Sequence, residues 1–394
     1  VKTEKTDIVV IGAGPGGYAA AFYAADKGKK ATLIERSPRL GGVCLNVGCI
    51  PSKALLHAAK LITEAKESGY RGIHFAAPRI DLNAMRAWKE SIVAKLAKGV
   101  ADLAARRKVD VLYGKAYFED SATLRVETAD GQKYLSYEKA IIAVGSKPAM
   151  PAAFDLGNPR IMTSTEALEI EHIPGKLLIV GGGYIGMELG TVYATLGSEV
   201  VVVEAMPEVL AGADQDLVRP VLRRARELFK EIRTGVKVSK MVTVGKQIRV
   251  ELEMQGGKRD ELYDGVLISV GRAPNCSDLG LENTKVERND RGFIAVNTRQ
   301  ETGDALIMAI GDAVGGAMLA HKATKEARIA IEVLTGESSS FEHIIIPAVV
   351  FTDPEIAWCG VTEDDAREQG RKVDVVKFPW SASGRALSFD RTDG

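Results

Sequence analysis

No window of the sequence approaches the roughly 18 consecutive apolar residues that a membrane-spanning helix needs, and the nearest runs are short ones such as IIIPAVVF. A helical membrane span is therefore excluded. An excess of one charge is also lacking, because Lys plus Arg and Asp plus Glu stand at 52 each. That balance gives no electrostatic reason to expect nucleic acid or an anionic membrane as partner. Cysteine is scarce, with four in 394 residues, too few for a disulfide scaffold. The amino terminus, VKTEKTDIVVIGAG, lacks the apolar h-region and small-residue cleavage site of a secretory signal, so the cytoplasm is the expected compartment. Val1 is not an initiator Met, and the chain is expected to have been processed, trimmed or joined to something upstream.

Length and glycine are what the chain does have. A chain of 394 residues exceeds what one hydrophobic core usually supports, so two to four domains are expected. The 40 glycines predict many tight turns. The first informative stretch, DIVVIGAGPGGYAAAFYAADKGKKATLIE, reads as strand, glycine turn, helix and strand. Gly12 and Gly14 allow a tight turn and the approach of a pyrophosphate, and Gly17 lets the helix pack on the sheet. The helix N-terminus then faces the phosphates. Glu35 closes the second strand, where a carboxylate can accept hydrogen bonds from ribose hydroxyls.

The pattern returns at KLLIVGGGYIGMELGTVYATLGSEVVVVE, with Gly181, Gly183, Gly186 and Glu204. Gly12 to Gly181 and Glu35 to Glu204 are both offsets of 169 residues, a register that two chance turns would not share. Two dinucleotide-binding domains are expected. Glu204 is followed by Ala205, Met206 and Pro207 rather than by an Arg that could meet a 2′-phosphate, so the second site should prefer NAD to NADP.

Two apolar runs end alike, KAIIAVGSKP at Gly145 and DGVLISVGRAPN at Gly271, and read as domain exits. A third glycine turn, MAIGDAVGGAMLAHKA, puts Asp312 between a strand and a helical pattern, where an acid at a helix start is the plainer reading. After Glu342 the segments IIIPAVVFTDPEIAWCGV and VDVVKFPW alternate like short strands and predict a further domain rich in antiparallel sheet.

GGVCLNVGCIPSKALLHAAKLITEAKESG carries the most specific signal. Cys44 and Cys49 flank four residues, and Pro51 marks a helix starting about there. A helix N-terminus stabilises a thiolate, and Lys53, four residues after Cys49, falls on the same helical face. Such a thiol is poised for thiol–disulfide exchange. Half a zinc site is the alternative, but Cys276 and Cys359 are single and far apart, so the second ligand pair is missing. Two inert buried thiols are the other alternative.

GGVCLNVGCIPSK resembles the active-site segment of dihydrolipoamide dehydrogenases, within the class of pyridine nucleotide–disulfide oxidoreductases. IGAGPGGY, IVGGGYIGMELG, SVGRAPN, AIGDAVGGAMLAHKA, FTDPEIAWCGVTE and FPWSASGRA extend the resemblance over essentially the whole chain from Asp7 onward. The resemblance implies an α/β protein with two Rossmann-like domains and an incomplete α+β dimerisation domain. The expected boundaries are 1–149 for FAD, 150–272 for NAD, 273–344 for a central segment completing the FAD site, and 345–394 for the start of the interface domain. It implies FAD on Gly12, Gly14, Gly17, Glu35, Arg36, Gly42, Val43, Lys53, Ala116, Gly145, Asp312, Met318, Leu319 and Ala320. NAD would occupy Gly181, Gly183, Tyr184, Ile185, Gly186, Glu204, Val236, Gly271 and Arg272. By the same resemblance Cys44 exchanges with a dithiol, Cys49 faces the flavin, and Lys53 pairs with Glu188 beside flavin N5. A homodimer and a lipoyl domain of a 2-oxo acid dehydrogenase complex are the implied partners.

The sequence departs from the pattern in two places. Family members place a His with a Glu partner near the C-terminus as general base, and none of His57, His74, His172, His321 and His343 matches that position. His321 with Glu326 mimics the spacing inside AHKATKEA, and His57 lies one helical turn beyond Lys53, but each reads better as ordinary helix. The chain is therefore expected to be part of a longer enzyme. Tyr184 stands where similar dehydrogenases often carry an aliphatic residue, and it is expected to gate the nicotinamide pocket or else to pack at a helix start. The rival readings are a reductase of glutathione-like or metal-ion substrates, which Glu204 opposes, and a non-catalytic flavoprotein fragment acting as a binding or surface module.

Overall fold

The computed structural model describes residues 3–394. They form two compact units. The first comprises the chain up to Pro51 with Ala87–Pro148 and Arg272–Ile346, and the second comprises Ser52–Arg86, Ala149–Gly271 and Pro347–Gly394.

In the first unit, strand β1 (Thr3–Ile11) leads through the first glycine turn into helix α1 (Pro15–Asp26) and strand β2 (Ala31–Glu35). Ile8 to Ile11 and all of β2 are buried, because a parallel strand covered on both faces must be apolar almost continuously. The sheet runs Asp110–Tyr113, β2, β1, Gly131–Ile142, Thr123–Thr128, Lys115–Asp120, and Ile307–Ala309 adds parallel to Gly131–Ile142. Ala20, Ala21 and Ala24 let α1 approach closely, and they share a core with Leu33, Ile141, Ala327, Ala330 and Ile331. Burying a side chain the size of Leu33 or Ile141 contributes about 1.5–3 kcal/mol. Two further helices carry the cysteines, α2 (Gly42–Val47) and α3 (Cys49–Glu67), and from Ser52 onward α3 belongs to the second unit. α3 begins two residues before Pro51, and Gly48 separates it from α2, so each cysteine lies on its own helix.

The second unit repeats the plan with β3 (Lys176–Val180), α4 (Tyr184–Thr195) and β4 (Glu199–Glu204). Its parallel sheet runs Glu231–Thr234, β4, β3, Gly265–Ile268, Ile161–Met162. An antiparallel sheet of Lys237–Val244, Gln247–Met254 and Gly257–Tyr263 turns Ile248, Val250, Leu252 and Tyr263 into a core shared with Leu178, Val180, Val201 and Val203. Leu55 and Leu56 of α3 join a second core with Met187, Leu189, Val350 and Ile356.

Near the C-terminus the antiparallel pair Ala348–Val350 with Ile356–Trp358 forms as its pattern predicts. VDVVKFPW does not become a strand. An extended run needs a neighbour to take its backbone hydrogen bonds. Here Val375, Val376 and Phe378 are 51 %, 91 % and 71 % exposed, and no strand pairs with the segment among the described residues.

Candidate active site

The two glycine turns agree down to individual hydrogen bonds. Glu35 accepts the Ala13 N–H and the Ser37 N–H, both at 2.8 Å, and Glu204 accepts the Gly182 N–H at 2.7 Å and the Met206 N–H at 2.8 Å. Each carboxylate thus spends one lone pair on its own turn and one on the following loop, and about two remain for hydroxyl donors. A Cβ on Gly17 would stand 1.7 Å from the Gly12 carbonyl oxygen, and one on Gly186 would stand 2.1 Å from that of Gly181. Side chains are forbidden where each helix seats on its strand. Around Gly183 a Cβ would meet nothing within 4 Å, and at Gly14 nothing nearer than the Gly42 Cα at 3.9 Å. Both helix N-termini therefore open onto clear space with backbone donors facing it, which fits a dinucleotide pyrophosphate at each.

The redox segment closes on the first of these turns. The Gly41 N–H donates to the Ala13 carbonyl at 2.8 Å, and a Cβ on Gly42 would come within 2.5 Å of the Gly14 Cα. The Asn46 amide donates to the carbonyls of Leu40 and Gly42 at 3.1 and 3.0 Å, which stiffens α2. Cys44 sits within α2, and Cys49 opens α3; both are half-buried. Val43 lies beside Cys44 on the same short helix. Burial, and after it the charge of Cys44, pushes the Tyr18 phenol above its usual range. Tyr18, the last residue of IGAGPGGY, is thus a neighbour of Cys44, a contact that the motif itself did not mark.

One turn into α3, the Lys53 ammonium lies over the Phe351 ring, 3.6 Å from its centroid. The Phe351 N–H donates to Glu188 Oε1 at 3.0 Å. Burial pushes the Glu188 carboxyl up, and the Phe351 N–H and the Lys53 charge pull it part of the way back. The structure therefore brings the expected lysine and glutamate near enough for their charges to interact, with Phe351 touching both. A cavity of about 330 Å³ beside them is lined by Lys53, His57, Lys60, Thr191, Phe351 and Asp353 among others.

Asp312 occupies a single 3₁₀ turn, Gly311–Val314, rather than the start of the following helix. Ser146 donates its hydroxyl to Asp312 Oδ2, and Arg272 donates to Ser146 Oγ at 2.7 Å and to its carbonyl at 2.9 Å. Arg272, expected at the NAD turn, lies in the first unit with Ser146 and Asp312, because the two domain exits pair with each other as strands Ser146–Pro148 and Arg272–Pro274. Helix α5 (Ala320–Leu334) follows, with Leu319 at its N-cap and Met318 just before, both half-buried. On α5, Lys322 Nζ meets Glu326 Oε1 at 2.7 Å, and Glu326 Oε2 accepts the Gly311 N–H at 2.7 Å. Glu326 is committed to this turn, and His321 is exposed.

Among the other expected residues, Ala116 is buried at 4 %, Arg36 is exposed, and Gly145 has φ +66°. Val236 is buried at 6 % and donates its N–H to the Glu204 carbonyl at 2.9 Å. Gly271 accepts the Ala149 N–H at 3.0 Å. Tyr184 and Ile185 open α4, and Tyr184 is 41 % exposed. No group of His, Cys, Asp and Glu able to hold a metal occurs among the described residues, nor does any helix long and apolar enough to cross a membrane.

Residues 6–327 match the family model described as pyridine nucleotide-disulphide oxidoreductase, and residues 346–394 match the dimerisation domain of the same family. The chain belongs to the pyridine nucleotide-disulphide oxidoreductases. Within that family it is similar to the dihydrolipoyl dehydrogenase of Haemophilus influenzae, at 46 % identity over 394 residues, covering 100 % of this chain and 82 % of that protein. The dihydrolipoyl dehydrogenase of Bacillus subtilis is 44 % identical over 391 residues, covering 99 % of this chain and 83 % of the relative. Among solved structures, the Cu(II) complex of the HOCl-induced flavoprotein disulfide reductase RclA from Escherichia coli superposes with a TM-score of 0.87 at 30 % identity, covering 100 % of this chain and 85 % of that one.

Proposed function

We propose that the chain oxidises dihydrolipoamide to lipoamide with reduction of NAD, through a Cys44–Cys49 disulfide. The observation that carries this reading is the seating of the cysteine segment on the first glycine turn through Gly41, Gly42 and Gly14. It is supported by 43–46 % identity to dihydrolipoyl dehydrogenases over nearly the whole chain. FAD and NAD are the cofactors.

A substrate thiolate attacks the Cys44 sulfur, forms a mixed disulfide and releases Cys49 as a thiolate. The second substrate thiol then displaces Cys44, which leaves as a thiol while lipoamide departs oxidised. The α3 N-terminus favours the Cys49 thiolate electrostatically. FAD, when bound, would supply the route by which the electron pair of the two cysteines reaches NAD as a hydride. Gly12, Gly14, Gly17, Glu35, Arg36, Gly42, Val43, Ala116, Gly145 and Asp312, with 318–320, would hold FAD, and Gly181 to Gly186, Glu204, Val236 and Gly271 would hold NAD. Lys53 would favour the reduced, anionic form of the flavin, and Glu188 would keep that cation fixed. Arg272 serves the Asp312 side rather than NAD, and Tyr184 gates the nicotinamide.

Residues 1–149 and 273–344 serve FAD, 150–272 serve NAD, and 345–394 belong to the interface of a homodimer, which the match to the dimerisation domain supports. The partner is a lipoyl domain of a 2-oxo acid dehydrogenase complex, and the bacterial relatives support a cytoplasmic setting. Comparison of NADH with lipoamide against NADPH with glutathione disulfide tests the reading. Turnover is expected on the first pair and lost in Cys44→Ser, and preference for the second pair would reject it.

A further inference from the structure

Phe351 touches both members of the charged pair by two different chemistries. Its backbone N–H donates to Glu188 Oε1 at 3.0 Å, and its ring face carries the Lys53 ammonium at 3.6 Å from the centroid. The residue itself is held. Val350, 2 % exposed, shares a core with Leu55 and Leu56 of α3, the Thr352 hydroxyl donates to the Pro354 carbonyl at 2.8 Å, and Asp353 takes Arg391 at 2.8 Å. The ring therefore offers the ammonium a fixed seat. A lysine reaches its charge through a flexible four-carbon stem, so the location of that charge depends on what receives it. Glu188 supplies attraction from one side, and the negative face of the aromatic ring supplies a second, directional contact.

We propose that Phe351 is a positioning residue for Lys53, its ring fixing where the ammonium sits and thereby how strongly that cation favours reduced flavin. The proposal rests on the reading that places Lys53 beside the flavin. Phe351 itself transfers neither proton nor electron. Because the Glu188 contact comes from the backbone, changing the ring leaves that contact in place and isolates the contribution of the aromatic face.

The test uses the full chain loaded with FAD, with Phe351 replaced by mono-, di- and trifluorinated phenylalanine. These keep the shape of the ring while draining its negative face. The equilibrium constant for two-electron reduction of the flavin, after the Cys44–Cys49 disulfide has taken a first electron pair, is read by absorbance against a reference dye. It is expected to fall stepwise with fluorination, by about tenfold at the trifluoro ring, which is what a partly desolvated cation–π contact amounts to. Lys53→Met should fall at least as far, and fluorination on that background should add nothing. A flat fluorination series beside a lowered Lys53→Met constant overturns the role of Phe351. An unchanged constant in Lys53→Met overturns instead the placement of Lys53 at the flavin, and the proposal with it.

Discussion

Gly311 donates its backbone N–H to Glu326 Oε2 at 2.7 Å, tying the turn that presents Asp312 to a carboxylate that is 2 % exposed. The other oxygen of that carboxylate holds Lys322, itself 5 % exposed, at 2.7 Å. Glu326→Ala therefore strands a buried cation and an N–H at once, and it should cost about 3–5 kcal/mol, read from the midpoint of chemical denaturation. The double change Lys322→Met with Glu326→Gln removes both charges and keeps an acceptor for Gly311. Its midpoint should return close to that of the parent, and a double variant as unstable as Glu326→Ala would contradict the pairing.

Glu188 makes stability depend on pH in a direction fixed by its burial. Desolvation raises its folded carboxyl above the ordinary 4.5, so between the two values the folded state holds a proton that the unfolded chain has lost. That contribution is fully present below about 4.5 and disappears as pH rises through the folded value. Glu188→Gln cannot ionise. Its melting temperature minus that of the parent should be flat at low pH and grow as pH climbs from 4.5 toward neutrality, whereas a difference that shrinks with pH would show the wrong sign.

The matched acids predict a double dissociation. Each accepts two backbone N–H groups and keeps lone pairs for a ribose. Glu204→Ala should weaken NAD binding by about 10–100-fold, the loss of charge-assisted hydrogen bonds worth roughly 1.5–3 kcal/mol, with flavin content unchanged. Glu35→Ala should instead lose flavin. Titration of NAD and absorbance of the purified protein check both, and a swap of the two phenotypes would reverse the cofactor assignment.

Glycines in one motif should behave differently. Gly17→Ala and Gly186→Ala drive a Cβ to 1.7 and 2.1 Å from a carbonyl oxygen and should prevent a stable fold of the unit concerned. Gly183→Ala meets nothing within 4 Å, so the protein should melt as the parent does while its affinity for NAD falls. Calorimetry with nucleotide titration separates the two classes. Equal stability of Gly183→Ala and Gly186→Ala would remove the distinction.

Much of this was legible in the residues because the chemistry is local. A glycine turn, the strand before it and the acid closing the next strand lie within one supersecondary unit, and the second copy repeats Ala13 to Glu35 as Gly182 to Glu204. The contacts that escaped reading join distant segments. Phe351 meets Glu188 across 163 residues and Ser146 meets Asp312 across 166, and no periodicity records such a meeting. The partners of Arg272 escaped for a related reason, since its motif follows a strand of the second unit while the pairing of the two exits sets its guanidinium on Ser146 in the first. VDVVKFPW failed in the opposite way, because alternation states a preference for extended backbone but supplies no neighbour to pair with.

We propose that Cys49 delivers electrons to a flavin held on the first glycine turn. The most direct test is absorbance of the FAD-loaded protein after anaerobic addition of two electron equivalents. Two equivalents should open the Cys44–Cys49 disulfide and leave the flavin oxidised beside the Cys49 thiolate, giving a long-wavelength band. Cys44→Ser, which has no disulfide to reduce, should show that band before any reductant is added, and Cys49→Ser should lack it. Full bleaching of the flavin without such a band, or a band that survives the loss of Cys49, would contradict it.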